Sequence, residues 1–440
     1  SSLVMSASMD VDAPVVPPPS KKARIETEQD VEEKTQREWL LQCPETYIGA
    51  VELSTWWVPV FDPSGSTVTW KQVTLSPGLV HLFLELIVNA LDNGFRDDSQ
   101  TYIHMEFKDG TFTVSNDGSA PPVTRLPGSQ RYKIAGCFGG FQVGSNFDNT
   151  KKRYTGGKNG IGAAAANTFG TRMKVTVVNA IARTKYVQEW NRNMSVEHNP
   201  KITTIDKKKN ETKVEWSPDY ARFPFSKEET NKNDLDDTVS FLAFCASLCA
   251  PPSVKVKYNG TVIKAQTPEQ FCKLLGGTAP FAKDTVTTED GVVFQVCVGT
   301  RNETLPHFGE EVSGVTLGFV NSTPCCDGSH ADYLIGKIKD IVEEKAKTKK
   351  GKGDIQVVAK PAFLRKNTIT ILKILVDKPR YRSQGKSALD TKVGEWGWTW
   401  KPSQEFIGAI ERSPLIQRVI DAARQKSDSD ASKATKLTGK

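Results

Sequence analysis

The sequence lacks several features that would place it in a common class. Its 440 residues contain no G-x-x-x-x-G-K-[ST] stretch, so it carries no Walker A phosphate loop. The eight cysteines are scattered without zinc-finger spacing, and we expect free buried thiols rather than a metal site or a disulfide framework. No signal peptide is evident, and no apolar run approaches the roughly 20 residues that a membrane span needs. These absences predict a soluble, intracellular protein with no membrane partner.

Strong charge of one sign is also missing. The 58 Lys and Arg residues exceed the 51 Asp and Glu residues only enough for a net charge of +7, which permits nucleic-acid contact without requiring it. No internal repeat is visible. Residues 1–30 are poor in large apolar side chains and predict a disordered tail, and residues 426–440 predict a polar tail or linker. The chain between them is long enough for two or three domains.

Hydrophobic patterning in both halves of the chain predicts an α+β architecture. Ser76 as N-cap and Pro77 at the first helical position begin a buried helix that ends near residue 97. The turns Asp109-Gly110 and Asn259-Gly260 each predict a β-hairpin. The composition changes at Pro251-Pro252, which divides the chain into predicted domains. Their bounds are 31–250 and 251–425.

One face of the buried helix is polar. Glu85, Asn89, Asp92 and Asn93 follow the i, i+4, i+7, i+8 spacing that places side chains on one side of a helix. A carboxylate one turn from an amide oxygen suits a divalent metal such as magnesium and a polarised water. A helix edge that meets solvent, or a capping network, would give the same spacing, so both interpretations stay open here.

A glycine-rich stretch, TGGKNGIGAA, follows at residues 155–164. Its glycines, Gly156, Gly157, Gly160 and Gly162, would let backbone N–H groups turn toward an anion at the start of a helix. A plain flexible loop is an equal alternative for this run taken alone.

Three phrases in order carry a resemblance: ELIVNALDN, VSNDGSAPPV and TGGKNGIGA. The series resembles the GHKL (Bergerat) ATPases, and most closely the type IIA DNA topoisomerases of eukaryotes and viruses. Further phrases of that family recur along nearly the whole chain, namely KTQREWLLQCPETYIGAVE, GSNFDNTKKRYTGGKNGIGA, GFVNS and RYRSQGK. The resemblance implies an α/β-sandwich GHKL ATPase domain with an N-terminal dimerisation strap, followed by a transducer domain of βαβ type.

The resemblance also implies roles for individual positions. Glu85 would be the general base, and Asn89 would bind Mg²⁺. Asn93 would contact phosphate or ribose, and Asn116 would recognise adenine. Lys386 would reach from the second domain to the γ-phosphate of ATP. The other implied ATP contacts are Tyr47 from the partner chain of a dimer, Ser145, Asn146, Lys158, Asn159, Gly160, Gly162 and Gln384.

Four positions depart from the family pattern. Ala120 stands where the adenine motif usually has a second glycine, and Ala164 where relatives usually carry a phosphate-contacting lysine. Lys158 replaces an arginine, and Gly385 replaces a threonine. None removes the base or the metal ligand, so we expect weaker ATP affinity or slower turnover at most.

A run of lysines lies in the predicted second domain and resembles the loop that relatives point into their DNA cavity. We predict a glycine-containing loop here that binds the phosphate backbone of duplex DNA without sequence preference, because the run has no interleaved aromatic residues. The alternative is a solvated charge run. The residues are Lys345, Lys347, Lys349, Lys350 and Lys352.

Together these features predict the ATP-operated N-gate of a type IIA topoisomerase. ATP with Mg²⁺ would drive homodimerisation and close a clamp on duplex DNA, and hydrolysis would reopen it. We find no DNA-cleavage core in the chain, so we expect one in cis or as a separate subunit, and no cleavage by this chain alone. The expected location is the nucleus, or a viral factory or virion. The alternatives are a GHKL clamp that acts on protein partners, of the chaperone or mismatch-repair class, and a degenerate binding module.

Overall fold

The structure is a computed structural model that describes residues 33–62, 66–144, 152, 154–157, 160–224, 229–305, 316–349, 357–383 and 385–438. The predicted tail at residues 1–30 lies outside them. The α-helices are α1 (Gln36–Gln42), α2 (Pro77–Arg96), α3 (Lys133–Gly139), α4 (Gly162–Thr168), α5 (Glu229–Cys249), α6 (Pro268–Leu274), α7 (Ser329–Lys349), α8 (Pro361–Asn367), α9 (Gln404–Arg412) and α10 (Leu415–Thr438).

Strands supply most of the remaining regular structure. They are β1 (Ser54–Phe61), β2 (Val68–Leu75), β3 (Tyr102–Lys108), β4 (Thr111–Asn116), β5 (Gly170–Asn179), β6 (Thr184–Asn191), β7 (Val196–Glu197), β8 (Lys201–Thr204), β9 (Glu211–Pro218), β10 (Lys255–Tyr258), β11 (Thr261–Val262), β12 (Gly277–Thr288), β13 (Gly291–Arg301), β14 (Leu317–Val320), β15 (Thr323–Pro324), β16 (Asp327–Gly328), β17 (Thr368–Ile374) and β18 (Ala388–Leu389).

Helix α2 is the element that the sequence signals most clearly, and it begins as predicted. The Ser76 hydroxyl accepts a hydrogen bond from the Leu79 N–H at 3.4 Å, and Pro77 occupies the first helical position. The apolar face of α2 is buried against α4, α5 and β4. Because that face is held in the core, the opposite polar face is fixed in one direction.

A nine-stranded sheet forms the first region within the described residues. Its order is β11-β10-β3-β4-β9-β5-β6-β7, with β8 paired to β6. Both predicted hairpins are confirmed: β3 and β4 pair antiparallel around Asp109-Gly110, and β10 and β11 around Asn259-Gly260. The alternation of buried and partly exposed residues along β5 shows why one face of the sheet packs on the helices.

The first sheet extends beyond the expected boundary at residue 251. Strand β10 pairs parallel with β3, so the chain up to Val262 belongs to the first sheet. The reason is burial, because Val256 is fully buried in the core of the first region. Residues 36–440 form one compact unit, and the division into two domains therefore stays a prediction.

The second region is built on a five-stranded sheet in the order β12-β13-β17-β14-β15. Strands β14 and β17 pair parallel, and helices α7 and α8 lie between them in sequence, which is the predicted βαβ arrangement. A separate core holds the helices of this region against its sheet and includes the three buried tryptophans Trp396, Trp398 and Trp400. The predicted α+β class is thus confirmed.

The structure corrects the predicted lysine loop. Helix α7 continues to Lys349, so Lys345, Lys347 and Lys349 are helical rather than in a loop. The helix persists because Ala346 is fully buried in the second core and Lys345 forms an ion pair with Glu411 at 3.2 Å. Lys350 and Lys352 lie outside the described residues.

The C-terminal helix also runs further than expected. Helix α10 ends at Thr438, so residues 426–438 of the predicted polar tail are helical. Within the described ranges, no helix combines the length and the apolar character needed to cross a bilayer. All eight cysteines are free thiols; five of them are buried as predicted, whereas Cys43, Cys137 and Cys326 are only partly buried.

Candidate active site

A cavity of about 220 Å³ opens between the polar face of α2, the start of α4 and a loop of the second region. Every described residue that the sequence predicted for catalysis or ATP binding lines it. They are Tyr47, Glu85, Asn89, Asn93, Asn116, Gly160, Gly162 and Lys386. The other predicted contacts, Ser145, Asn146, Lys158, Asn159 and Gln384, lie outside the described residues.

The acid and the glycine turn meet directly. Gly162 begins α4 with its Cα against the Glu85 carboxylate, and a Cβ at position 162 would lie only 2.0 Å from Glu85 Oε2. Only glycine allows this approach. The N-terminus of α4 therefore faces the one carboxylate that the sequence marked as a base.

Glu85 is held by two basic side chains. Lys386 Nζ lies 3.1 Å from Oε1, and His81 Nε2, one helical turn earlier on α2, lies 3.2 Å from the same oxygen. Burial alone would raise the pKa of Glu85, but the charge of Lys386 and the contact with His81 outweigh it and hold the pKa well below its usual range. Glu85 is therefore ionised at neutral pH.

Lys386 reaches this site from the second region. Its side chain is buried, its backbone adopts φ +55°, and Nζ donates to the carbonyl of Gly156 at 3.3 Å as well as to Glu85. One ammonium group thus bridges the base and the glycine turn. The same turn touches the second region again, because a Cβ at Gly156 would lie 2.6 Å from Thr323 Oγ1.

The N–H groups of Gly156 and Gly157 bind a carboxylate of the protein itself, although the sequence predicted that they would face a bound anion. The N–H groups of Gly156 and Gly157 donate to Asp92 Oδ1 and Oδ2, each at 2.9 Å. Asp92 is fully buried, and this burial raises its pKa to about 6 although both N–H groups favour the carboxylate. Asp92 therefore fixes the turn to α2, which leaves the cavity-lining Gly160 and Gly162 as the glycines available to a ligand.

The opposite end of the cavity is a network of amides. Asn93 Nδ2 and Asn116 Nδ2 both donate to Gln100 Oε1, at 2.7 and 3.1 Å, and both also donate to the carbonyl of Asp117. Gln100 is fully buried and donates in turn to the Ala90 carbonyl at 3.1 Å. The network fixes two asparagine side chains on the cavity wall without using a charged side chain between them.

The Asp117 carboxylate faces away from these asparagines. It accepts from the N–H groups of Thr101 and Tyr102 at 2.7 and 2.9 Å, and from the Thr101 hydroxyl at 2.5 Å. Asp117 thereby ties the end of β4 to the start of β3. Asp117 therefore contacts the cavity asparagines through its backbone carbonyl rather than through its carboxylate.

Two further placements bear on the predictions. Tyr47 lines the cavity of its own chain, so the expectation that it acts across a dimer stays a prediction. Ala164 is buried within α4, and its carbonyl accepts from the Thr168 hydroxyl at 2.8 Å. Whether Ala164 weakens ATP binding likewise stays a prediction.

The cavity offers one amide oxygen, from Asn89, to a magnesium ion whose other ligands would be waters and phosphate oxygens. Among the described residues, no group of three or more His, Cys, Asp or Glu side chains is arranged to hold a metal. Asn89 is exposed on the polar face of α2, and its Oδ1 lies on the side of the Gly157 turn. A lone amide oxygen fits Mg²⁺, which keeps several waters and takes phosphate oxygens as ligands.

Sequence reasoning missed two residues of the site, His81 and Gln100, and gave Asp92 no role. His81 lies four residues before Glu85, and the i,i+4 spacing could have identified it. Asp92 was on the predicted polar face but had no assigned partner. Gln100 gave no signal, because its role depends on strand pairing that brings residues 100 and 116 together.

Comparisons with known proteins give one consistent picture. No family model matches the chain. DNA topoisomerase 2 of Saccharomyces cerevisiae is 28% identical over 418 residues, which cover 92% of this chain and 29% of the relative. DNA topoisomerase 2 of Bombyx mori is 30% identical over 433 residues, covering 95% of this chain and 27% of the relative. The chain thus spans less than a third of the curated relatives it matches.

Solved structures match over almost their whole length. The ATPase region of Saccharomyces cerevisiae topoisomerase II superposes with a TM-score of 0.79 at 27% identity, covering 90% of this chain and 99% of that one. The ATPase and transducer domains of Balamuthia mandrillaris DNA topoisomerase II give 0.78 at 26% identity, covering 91% and 99%. The matched region covers nearly the whole of both solved chains and at least nine-tenths of this one.

Proposed function

Because this chain is homologous to the ATPase and transducer region of eukaryotic DNA topoisomerase II, we propose that it binds and hydrolyses ATP in the cavity between Glu85 and Lys386. The observation that carries the proposal is the convergence of Glu85, Gly162 and Lys386 at one point. A base, a helix N-terminus and a lysine ammonium group are parts that serve phosphoryl transfer to water.

Glu85 acts as the general base, and Lys386 controls it. Lys386 pairs with Glu85 and holds the pKa of its carboxylate low, which makes the carboxylate a weak base. The γ-phosphate competes for Lys386, since it carries more negative charge than a carboxylate. Once Lys386 moves to the phosphate, the pKa of Glu85 rises toward its ordinary range and the carboxylate can orient and deprotonate the attacking water.

The remaining contacts follow from their places on the cavity wall. Gly160 and Gly162 turn N–H groups toward the triphosphate, and Asn116 with Asn93 recognises the nucleoside end. Asn89 would hold Mg²⁺, which when bound neutralises charge on the phosphate oxygens. Lys158, Asn159, Ser145, Asn146 and Gln384 would complete the phosphate and ribose contacts. Tyr47 contributes either from its own chain or from a partner.

Lys386 makes the site a switch. It belongs to the second region, so its bond to the γ-phosphate lasts only while that phosphate is present. Hydrolysis breaks the bond and releases the second region from the glycine turn. This is the step by which ATP turnover would open a clamp.

We further propose that ATP binding dimerises the chain around duplex DNA as an N-gate. Trp39 on α1 and Leu53 are large apolar side chains that are 44% and 42% exposed in the single chain, and a dimer would bury them.

The lysines at the end of α7 would contact DNA phosphates. Such a gate needs a DNA-cleavage core in cis or as a separate subunit, and it would work where DNA is, in the nucleus or a viral factory.

Phosphate release from Mg·ATP is the first test. We expect turnover that duplex DNA stimulates, since DNA stimulation separates a topoisomerase gate from a GHKL clamp that acts on proteins. No turnover above that of the Glu85→Ala variant would contradict the proposed activity. Sedimentation with and without a non-hydrolysable ATP analogue tests the gate, and a monomer in both conditions would contradict it.

A further inference from the structure

One corner of the nine-stranded sheet concentrates positive charge outside the nucleotide cavity. The β5–β6 turn and the β8–β9 loop meet there, and six basic residues share it with two acidic ones, Asp206 and Glu211. We call this surface the basic corner. Its basic residues are Arg183, Lys185, Lys201, Lys207, Lys208 and Lys209.

The two loops of the basic corner form a single fixed surface. The Ile205 N–H donates to the Arg183 carbonyl at 2.9 Å, and the Ala180 N–H donates to Asn210 Oδ1 at 2.8 Å. Strand β8 pairs antiparallel with β6 directly beside them. The lysines are therefore displayed on bonded backbone rather than on an independent tail.

Little of the positive charge is neutralised locally. Two of the six basic residues face an acidic side chain: Arg183 lies 3.4 Å from Asp206, and Lys207 lies 3.7 Å from Glu211. Exposed ion pairs of this kind are weak, so they would not prevent either basic side chain from binding a phosphate. Other lysines of the corner have no ion-pair partner within the ranges that the structure describes. They are Lys185, Lys201, Lys208 and Lys209.

Elsewhere on the same sheet, basic side chains form ion pairs with acidic ones. On strands β5, β6 and β9, Arg172 pairs with Glu189 at 2.7 Å, and Lys174 and Lys213 share Glu215 at 3.6 and 3.7 Å. Paired charges of opposite sign are sufficient to keep a solvent-facing sheet surface soluble. The excess at the corner is local and needs a different explanation.

We propose that the basic corner binds the phosphate backbone of duplex DNA, as a contact separate from α7 and independent of nucleotide. Strand β8 extends over roughly 13 Å at about 3.3 Å per residue, and a duplex of that length carries about eight phosphates. The corner's lysines have no interleaved aromatic residues, which fits backbone contact rather than base stacking. The choice of duplex DNA as partner rests on the proposed function.

The tip of the β5–β6 turn adds an apolar element. Ile181 is 92% exposed and lies between Ala180 and Ala182, with Arg183 next along the chain. Apolar side chains of minor-groove binding proteins insert between base steps and kink the duplex. We expect Ile181→Ala to weaken DNA binding two- to five-fold without changing its salt dependence.

The test is a salt titration of DNA binding by the full chain without nucleotide, with a labelled 30-base-pair duplex. Each phosphate contact contributes about 0.9 to the slope of log K against log salt, so the Lys207→Ala/Lys208→Ala/Lys209→Ala variant should lower the slope by roughly 2 to 3. Affinity at low salt should fall at least ten-fold. The matched control, Arg172→Ala/Lys174→Ala/Lys213→Ala, removes the same charge from the paired part of the sheet and should change the slope by less than one.

Three results would overturn the proposal: an unchanged slope in the corner variant, an equal loss in the control, or loss of binding to phosphatidylserine vesicles with DNA binding intact. The last result would assign the corner to an anionic membrane surface instead. ATP hydrolysis without DNA is measured on the same preparations. It should be equal in wild type and corner variant, so a failure of the proposed ATPase is seen separately from a failure of the corner.

Discussion

The two ends of the cavity use opposite chemistry. At one end, side chains from two regions of the chain meet: the Glu85 carboxylate with the His81 imidazole on α2, and the Lys386 ammonium group from beyond the second sheet. At the other, Asn93 and Asn116 are fixed by neutral hydrogen bonds within the first region alone. The charged end can respond to a change in ligand charge, whereas the amide end can only recognise shape and hydrogen-bonding pattern.

Under the proposed function, the end that holds Glu85 and Lys386 would carry out the chemistry and the signalling, and the end that holds the amides would provide selectivity. Lys386 has two partners, the Glu85 carboxylate and the Gly156 carbonyl, and a phosphate would compete with both. The amide network has buried partners that no ligand replaces. Substitutions at the two ends should therefore change different kinetic constants, and the predictions below separate them.

Glu85→Gln should have the largest effect. Removing the base should lower kcat for ATP hydrolysis at least 100-fold, because general-base catalysis contributes about that much or more. ATP affinity should change less than about three-fold. Steady-state phosphate release with equilibrium binding of a non-hydrolysable analogue measures both. Glu106→Gln, an exposed glutamate on β3, is the control, and a comparable loss in that variant would show that the effect is not specific to the base.

Lys386→Met should lower kcat about 10- to 100-fold. It should also change the pH dependence in a defined direction. Lys386 holds the pKa of Glu85 below its usual range, so the variant's Glu85 pKa is higher. Because the base works only when ionised, above its pKa, the acid limb of the kcat/KM profile should move to higher pH in the variant. Lys392→Met serves as an exposed control, and an unmoved acid limb would contradict the ion pair's role.

Gln100→Ala should act on selectivity rather than on chemistry. Asn93 and Asn116 lose the acceptor they share, and a lost buried hydrogen bond costs about 1 to 1.5 kcal/mol, or roughly ten-fold in affinity. We expect KM for ATP to rise about ten-fold, the preference for ATP over GTP to shrink, and kcat to stay within about two-fold. A fall in kcat with unchanged KM would place the amide network in the chemical step instead.

Asp92→Asn should have the smallest effect, a rise in KM of about three- to five-fold. The amide keeps one acceptor for the Gly156 and Gly157 N–H groups and turns a donor toward the other. Burial raises the pKa of Asp92 to about 6, so wild type should show the same rise in KM as pH falls through 6 and the carboxyl takes up a proton. The variant's KM should not change over that range. Asp98→Asn, at an exposed position just after α2, is the control.

The sequence predicted those parts of the molecule that depend on neighbouring residues. The cap and start of α2, the two hairpin turns and the shared face of Glu85, Asn89 and Asn93 follow from local spacing. The family resemblance was needed for Lys386, because nothing local relates residues 85 and 386.

The predictions were wrong where a contact with a residue distant in sequence determines the local structure. The run of lysines at the end of α7 predicted a loop, but burial of Ala346 keeps this segment helical. The Gly156 and Gly157 N–H groups looked available to an anion, but the buried Asp92 holds them. In each case the partner is an element that local sequence does not reveal.

The structure of the chain with Mg²⁺ and a non-hydrolysable ATP analogue tests the central claim most directly. We predict the triphosphate between Glu85 and Gly162, with Lys386 Nζ moved from the Glu85 carboxylate to the γ-phosphate and the adenine at Asn116. A nucleotide bound outside this cavity, or Lys386 still paired with Glu85 beside a bound triphosphate, would contradict it.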